Sequence, residues 1–559
     1  MSTQACHPGF SAWPAVIVVL VLLLLPSRLR AAPAEWQWSV PVESATSSET
    51  GGHPRAFLWI PPDCQFVRGV VVGQHNMEEE PILEHPKLRA ALTELGLAAV
   101  WITPPLDLWF RFDRGAGEHF EAMMTKLAQE SGYDELAFAP IVPIGHSAAA
   151  SYPWNFAAWN LQRTLAAISV SGQWPYWQHA DQPDWGGRSI DGIPGLVTMG
   201  EYESADSRAV EGLKQRQQHP QLPLSMVAEP GGGHFDVSEA KVDFLALYLR
   251  KACQYRLPTG TPTNRTVALK PINPAQQGWL VDRWRLNRPP RAPAAPVGQF
   301  TGDPAQAFWC FDAEHARATE AFGARYRSQQ AALLGYEVNG QIVSQVNGTH
   351  QQVTLPFRPL DDGLTFKLSG TFLDAVPAGR PESWTGLKAG SPVSHPRGGG
   401  PIVIERVCGP VEKLGDDTFA LRFYRMGMDN PKRTPEIWLT VTHPGDDQFK
   451  RSVQQALLRI PFRNPVGADQ RITFPEIRDQ IAGTKSLPLK ATSDAGMPVH
   501  YFVREGPAVI AGDTLHFTAL PPRTKFPVQV TVVAWQYGRA SEPKLKTAAP
   551  VERSFRLVK

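Results

Sequence analysis

The segment that decides the fold runs from Pro140 to Trp159 and reads PIVPIGHSAAASYPWNFAAW. A short apolar run ends at Gly145, and Ser147 follows it among alanines. A strand that turns sharply into a helix can hold a serine with its Oγ above the sheet, and this turn needs small residues on either side. Gly145 and Ala149 occupy those places. The segment therefore predicts a nucleophilic serine at a strand end, with the Ala148 N–H beside it as an oxyanion donor.

A nucleophilic serine needs a histidine as its base, and the histidine needs a carboxylate that fixes its tautomer. His234 lies in the glycine-rich GGGHFDV, after the strand-like PLSMVAEP and before a long amphipathic pattern. Glu203 lies in the turn GEYE, after the strand-like IPGLVTM. Each group thus follows a predicted strand. Glu201 and Asp206 are the alternatives for the acid.

Strand-like and helix-like segments alternate from Trp36 to about Leu257, which favours a mostly parallel, doubly wound sheet. With its GHSAA turn, GEYE turn and GGGHF loop, this region resembles α/β-hydrolases of the dienelactone hydrolase and esterase type. The resemblance covers about two-fifths of the 559 residues. It implies Ser147 as nucleophile, His234 as base and Glu203 as acid, although aspartate is more usual in the family.

The resemblance also implies a second oxyanion donor in the loop GQHNMEEEP, at the backbone N–H of Asn76 or Met77. The usual His-Gly pair is absent from this loop. Aromatic side chains are expected around the mouth of the site, where they would stack on sugar rings or hold acyl groups. Core packing is the alternative in a chain with 17 tryptophans. The candidates for substrate binding are Trp109, Trp154, Trp174 and Trp177.

The first 34 residues are typical of a signal peptide. The apolar run from Ala15 to Leu25 is shorter than the ~20 residues that span a bilayer. Small residues follow it, with cleavage expected near Ala32 or Ala34. We therefore expect a secreted or periplasmic protein. No Lys or Arg precedes the run, so a retained membrane anchor is the alternative.

Removal of the leader would leave an even number of cysteines, which permits three pairings. Cys64 follows an early strand and Cys253 ends the last helix of the sheet region, so we expect a disulfide between them. Cys310 and Cys408 would form the second. Four unpaired buried thiols are the alternative. Neither CxxC nor HExxH occurs, so no metal and no cofactor are expected.

Beyond Leu257 the pattern changes to short β-type runs and turns, in a chain with 52 prolines. The block with ATSDAGMPVHYFVREGPAVIAGDTLHF resembles immunoglobulin-like modules appended to secreted bacterial enzymes. We expect the catalytic region to form its own core and β-sandwich accessory domains to follow it. The predicted units are a signal peptide (1–34), an α/β-hydrolase domain (35–257), a proline-rich connector with a helical patch (258–335), a β-rich middle domain (336–470) and an immunoglobulin-like β-sandwich (471–559).

The formal net charge of +2 falls near zero once Arg28 and Arg30 leave with the leader. Without a basic run, no nucleic-acid partner is expected. The sequence predicts an exported serine hydrolase of small-molecule or polysaccharide esters, a carbohydrate esterase by its architecture. The C-terminal β domains would attach it to carbohydrate or to a cell surface. A serine amidase or peptidase, and a non-catalytic binding or adhesion protein on a hydrolase scaffold, are the alternatives.

Overall fold

A mostly parallel sheet forms the centre of the N-terminal region. The computed structural model describes Met1 and residues 36–177, 179–260, 264–346 and 353–559. The strands of this sheet are β1 Trp38–Pro41, β2 Arg55–Trp59, β3 Gly69–Gln74, β4 Leu97–Thr103, β5 Ile141–His146, β6 Ala167–Val170, β7 Gly195–Gly200 and β8 Leu224–Glu229. Their order is β1-β2-β4-β3-β5-β6-β7-β8. The first two are antiparallel to their neighbours, and the pairs from β4 to β8 are parallel.

Helices cover both faces of this sheet. They are α1 Glu79–Glu84, α2 Pro86–Leu95, α3 Ala116–Ser131, α4 Tyr152–Trp159, α5 Ala205–Gln218 and α6 Glu239–Arg256. Val70 and Val72 of β3 pack on one face with residues of α3 and α4, whereas Val71 packs on the other with residues of α2 and α6. Burial on both faces explains why three valines follow one another in β3 rather than alternating with polar residues. The predicted α/β-hydrolase fold is confirmed.

The rest of the chain consists of small, mostly antiparallel sheets, consistent with the predicted β-sandwich modules. After the hydrolase come β9 Trp279–Asp282, β10 Ala295–Pro296, β11 Ala307–Cys310 and α7 Ala313–Ala324. The middle region holds β12 Leu334–Val338, β13 Gln341–Ile342, β14 Val353–Pro356, β15 Thr365–Lys367, β16 Ser369–Phe372, α8 Arg380–Thr385, β17 Val403–Cys408, β18 Val411–Lys413, β19 Thr418–Leu421, β20 Glu436–His443 and β21 Ser452–Arg459. The last region holds β22 Ile472–Thr473, β23 Gln480–Ile481, β24 Ser486–Pro488, β25 Thr492–Ser493, β26 His500–Glu505, β27 Ala508–Ala511, β28 Thr514–Phe517, β29 Val528–Trp535 and β30 Val551–Val558.

The last region and the hydrolase share one continuous hydrophobic cluster. It joins Val40 and Phe120 on one face of the hydrolase sheet to Tyr501, Val530 and Phe555 of the C-terminal strands. Polar contacts follow the same boundary, where Ser39 Oγ donates to Glu505 Oε2 at 2.7 Å. This face of the hydrolase is therefore covered by its own helices together with strands that come at the end of the chain.

All four cysteines predicted to form disulfides are free, buried thiols. Cys64 belongs to the cluster on one face of the hydrolase sheet and Cys253 to the cluster on the other, so the sheet itself separates them. Cys310 packs beside β9, and the Sγ of Cys408 lies 3.9 Å from the Sδ of Met77. The predicted pairing is wrong, and the four buried thiols weighed as its alternative describe the structure.

Apart from Met1, the predicted leader with its apolar run lies outside the described residues. Within the part of the chain that the structure describes, no helix is long and apolar enough to cross a membrane.

Candidate active site

Ser147 lies where β5 ends and the chain turns towards α4. Its φ of 53° is in the left-handed region, which non-glycine residues rarely adopt. The surrounding residues are small because there is no room for larger ones. A Cβ on Gly145 would lie 2.0 Å from Ala149 O, and one on Gly172 would lie 1.9 Å from Ala150 Cβ. The strand end and this crowding together hold the serine on a strained turn.

The imidazole of His234 lies between the side chains of Ser147 and Glu203. Its Nε2 is 2.8 Å from Ser147 Oγ, and its Nδ1 is hydrogen-bonded to Glu203 Oε1. The side chains of His234 and Glu203 are only 5% and 8% exposed, so water hardly competes for these bonds. The glycines at 231–233 carry the loop from β8 to His234, and Glu203 ends a short 3₁₀ turn after β7. In this relay His234 can accept the serine proton while Glu203 holds its other nitrogen.

The geometry selects Glu203 among the three candidate acids. Burial acts to raise the pKa of Glu203, but the charge of His234 and its hydrogen bond outweigh burial and leave the pKa below the ordinary 4.5. Glu203 is therefore ionised at neutral pH and can stabilise an imidazolium. The alternatives are engaged elsewhere, since Glu201 Oε1 lies 2.6 Å from Lys450 Nζ and Asp206 is paired with Arg283.

The backbone N–H groups predicted as second oxyanion donors form hydrogen bonds within the protein. Those of Asn76 and Met77 donate to Glu79 Oε2 at 3.1 and 2.8 Å, and neither residue lines the cavity at the nucleophile. That prediction is wrong because the buried carboxylate of Glu79 captures both groups, and its Oε1 also accepts the N–H of His146 at 2.6 Å. Ala148 does line the cavity, and its N–H lies at the start of the 3₁₀ turn, where helical acceptors are lacking.

A cavity of about 570 Å³ opens over Ser147. Two arginines line it, Arg208 of α5 and Arg380 of α8, the latter from outside the hydrolase region. Arg208 Nη2 donates to Gly172 O at 2.5 Å, and its Nε is buried without a partner. Among the described residues neither guanidinium forms an ion pair. Since Glu203 is paired with His234, the cavity carries two cationic groups that no side chain in the described part of the chain neutralises.

The predicted substrate-binding tryptophans do not line this cavity. Trp154 and Trp174 are 2% and 5% exposed, and Trp174 stacks on Phe308, so both belong to the core. Trp109 and Trp177 lie together, with ring centroids 6.4 Å apart, and Trp177 is partly exposed. The prediction is wrong for Trp154 and Trp174, because their large apolar side chains are buried in the hydrophobic core.

Sequence reasoning missed Arg208, Arg380 and Gln455, whose Oε1 accepts the N–H of His234 at 3.2 Å. Arg208 follows the GEYE turn by a few residues, and that proximity to the predicted acid was a usable signal. No motif marks Arg380 or Gln455. Both reach the site only because a distant segment packs against it.

No family model and no curated protein matches the sequence. Among solved structures, the chain is similar to the fluorophosphonate-binding serine hydrolase F of Staphylococcus aureus, with 12% identity and a TM-score of 0.27 over 39% of this chain and 96% of that one. It is also similar to a dienelactone hydrolase from Anabaena variabilis, with 16% identity and a TM-score of 0.27 over 39% and 96%. For an S-formylglutathione hydrolase from Agrobacterium tumefaciens the values are 13% and 0.28 over 39% and 94%. Identities this low transfer no activity to this chain.

Proposed function

We propose that the protein is a serine hydrolase that cleaves carboxylic esters, with Ser147 as nucleophile, His234 as base and Glu203 as the orienting acid. The observation that carries the proposal is the relay from Glu203 through His234 to Ser147 Oγ, with the serine on a strained turn at a strand end. This arrangement activates a hydroxyl that is otherwise a weak nucleophile.

In the proposed reaction, Ser147 Oγ attacks the ester carbonyl carbon while His234 Nε2 takes the hydroxyl proton. The Ala148 N–H donates to the oxyanion that forms. When the intermediate collapses, the C–O bond to the alcohol breaks, and His234 returns the proton to the leaving oxygen. Water then attacks the acyl-enzyme with the same base, which releases the acid and restores Ser147.

The two guanidinium groups of the cavity favour a substrate with an anionic group near the scissile ester. Arg208 and Arg380 both line the cavity that Ser147 opens into, and neither has a carboxylate partner among the described residues. A guanidinium pairs well with a carboxylate or phosphate because its planar fork matches two acceptor oxygens. The cavity volume of about 570 Å³ lies within the range that small ligands occupy.

Loss of a member of the relay would favour the non-catalytic alternative, whereas the presence and contact of all three side chains support the catalytic one. Amide hydrolysis uses the same geometry, so substrates must distinguish it. Export stays part of the proposal and rests on the leader pattern alone.

Labelling with a fluorophosphonate probe and turnover of a 4-nitrophenyl ester test the function. Wild-type protein should be labelled at Ser147 and turn over the ester faster than the matching anilide, whereas Ser147→Ala and His234→Ala should lose both activities while folded. Ser207→Ala, an exposed serine of α5, is the matched control and should behave as wild type. Ester turnover that survives in Ser147→Ala contradicts the assignment, and faster anilide turnover favours an amidase.

A further inference from the structure

We propose that the middle β region is a working part of the catalytic centre, in which Gln455 acts as a positioning residue for His234. This inference rests on the proposed function. It concerns β21 and the two residues before it, Lys450 and Arg451, which together we call the β21 clamp.

The first contact of the β21 clamp is made by Gln455. Its Oε1 accepts the N–H of His234 at 3.2 Å and that of Phe235 at 3.3 Å. Gln455 is 2% exposed and lies on β21, which is bonded to β20 on one side and to β14 on the other. A strand fixed on both sides thus presents one oxygen to two consecutive N–H groups at the base.

The second contact holds the loop of residues 231–236, which we call the base loop, on both sides of His234. The guanidinium of Arg451 binds Asp236 through two hydrogen bonds, and Asp236 is 3% exposed. Before His234, the backbone of the base loop lies so close to Arg451 that a Cβ on Gly231 would be 2.5 Å from Arg451 O. At Gly233 a Cβ would lie 3.2 Å from the Oε1 of Gln455. The glycines of the loop therefore permit its close approach to the β21 clamp.

The third contact holds the turn that carries the acid. Lys450 Nζ lies 2.6 Å from Glu201 Oε1, while Glu201 Oε2 accepts the N–H of Gly231 at 3.0 Å. The next residue, Tyr202, accepts a hydrogen bond at its carbonyl from Trp384 Nε1 of α8 at 3.1 Å. The acid turn and the base loop are thus bound to each other and to the same region outside the hydrolase.

The base loop is rich in glycine and needs contacts that fix the position of His234. Three glycines precede His234, and a glycine-rich segment has many accessible conformations unless contacts restrict it. Catalytic groups must be held within about 0.5 Å of their working positions, and a displacement of about 1 Å can cost about 100-fold in rate. The β21 clamp supplies contacts that the hydrolase fold itself does not provide.

Gln455→Met tests the positioning role in the full chain, because it keeps the length of the side chain and removes the oxygen. We expect kcat to fall about 10- to 100-fold while KM changes less than about threefold. The rate of labelling by a fluorophosphonate should fall by the same factor. Gln455→Asn, whose oxygen falls short by one methylene, should show the same loss.

Gln455→Glu keeps an acceptor and should recover most of the rate. Recovery by a side chain of the same length that keeps the acceptor, beside the loss in Gln455→Met and Gln455→Asn, is a result that a purely structural role does not produce. Gln454→Met is the control for the same kind of change on the same strand, since Gln454 is equally buried and its side chain contacts Gln345 and the carbonyl of Gln455. It should stay within about threefold of wild type.

Wild-type kcat in a folded Gln455→Met or Gln455→Asn protein would overturn the positioning role, as would an equal loss in Gln454→Met. Thermal unfolding of each variant establishes that it is folded. If wild-type protein is not labelled at Ser147, the proposed function fails and the inference fails with it. Normal labelling of wild type and of every Gln455 variant overturns the positioning role alone.

Discussion

Glu79 accepts the backbone N–H of His146 at 2.6 Å, so a buried carboxylate is bonded to the residue that precedes Ser147. The same side chain also binds the N–H groups of Asn76 and Met77. One carboxylate therefore joins the loop after β3 to the turn after β5, and its protonation state affects the stability of both.

Glu79→Gln should remove a pH dependence of folding stability. Burial raises the pKa of Glu79 to about 7, against 4.5 ordinarily, so the folded protein keeps a proton that the unfolded chain releases. This stabilisation is fully present below about pH 4.5 and is lost as the pH rises through 7. As the pH rises from about 4.5 to about 7, the free energy of unfolding of the variant should therefore rise by on the order of 3 kcal/mol relative to that of wild type.

Urea unfolding of both proteins at about pH 5 and pH 8 measures this change. Glu94→Gln, at an exposed glutamate of α2, is the control, and its difference from wild type should not vary with pH. A pH-independent difference for Glu79→Gln would contradict the assignment.

Glu203→Gln should lower kcat by a factor on the order of 1,000 to 10,000, because an amide cannot stabilise the imidazolium and can hold the wrong tautomer. Glu201→Gln should cost far less, since Glu201 contacts Lys450 and not the base. Steady-state kinetics on an activated ester measure both. Asp206→Asn, at the third candidate acid, should stay within about threefold of wild type, and a larger loss there than in Glu203→Gln would transfer the role.

Arg380→Met should raise KM about tenfold for an anionic ester and leave a neutral ester of equal length nearly unchanged. The cause is the loss of one of the two guanidinium groups that line the cavity. 4-Nitrophenyl hemisuccinate and 4-nitrophenyl valerate form a suitable pair. Arg250→Met, at an exposed arginine of α6, is the control, and equal effects of Arg380→Met on both esters would remove the proposed anionic preference.

A fragment that ends near Phe300 should be insoluble or unreactive towards a fluorophosphonate. The sequence pattern alone predicts the opposite, because strands and helices for a covered sheet are complete by Leu257. The fragment would expose the apolar residues that now pack against the C-terminal strands, and it would lack the β21 clamp. Solubility and labelling of the fragment beside full-length protein measure this, and a soluble, fully labelled fragment would contradict it.

The four cysteines Cys64, Cys253, Cys310 and Cys408 should all titrate as thiols. Each is buried, and burial raises the pKa of Cys64 to about 11 and the pKa values of the other three to about 12, so native protein should react slowly with a thiol reagent. In denaturant without reductant all four should react. Peptide mapping that finds a Cys64–Cys253 bridge would contradict the structure.

The sequence was sufficient for features that depend on neighbouring residues. Local geometry requires the buried strand before Ser147, the small residues around it and the glycines before His234. These features can therefore be recognised in the sequence. For the acid, the sequence indicates only the GEYE turn, and the folded structure shows that Glu203 and not Glu201 contacts the imidazole of His234.

Features that depend on packing between distant segments could not be read from the sequence. Gln455 and Arg380 reach the site across 221 residues in the first case and from a separate helix in the second. Glu79 accepts the N–H of His146, 67 residues away, because α1 begins close to the turn that carries Ser147, which no local pattern records. The predicted disulfide pairing is wrong because an even number of cysteines does not indicate on which face of a sheet each cysteine lies.

The shared hydrophobic cluster has a consequence for the order of events during synthesis. Ser39 leaves the ribosome 466 residues before Glu505, to which it is bonded in the folded protein. At about 5 to 20 residues per second this interval is roughly half a minute to a minute and a half. Throughout this interval, one face of the N-terminal sheet lacks the C-terminal strands that cover it in the folded protein, and exposed apolar surface of this kind is prone to aggregate. That face is covered as in the folded protein only when β29 and β30 have been made, and a chain interrupted before them leaves it exposed.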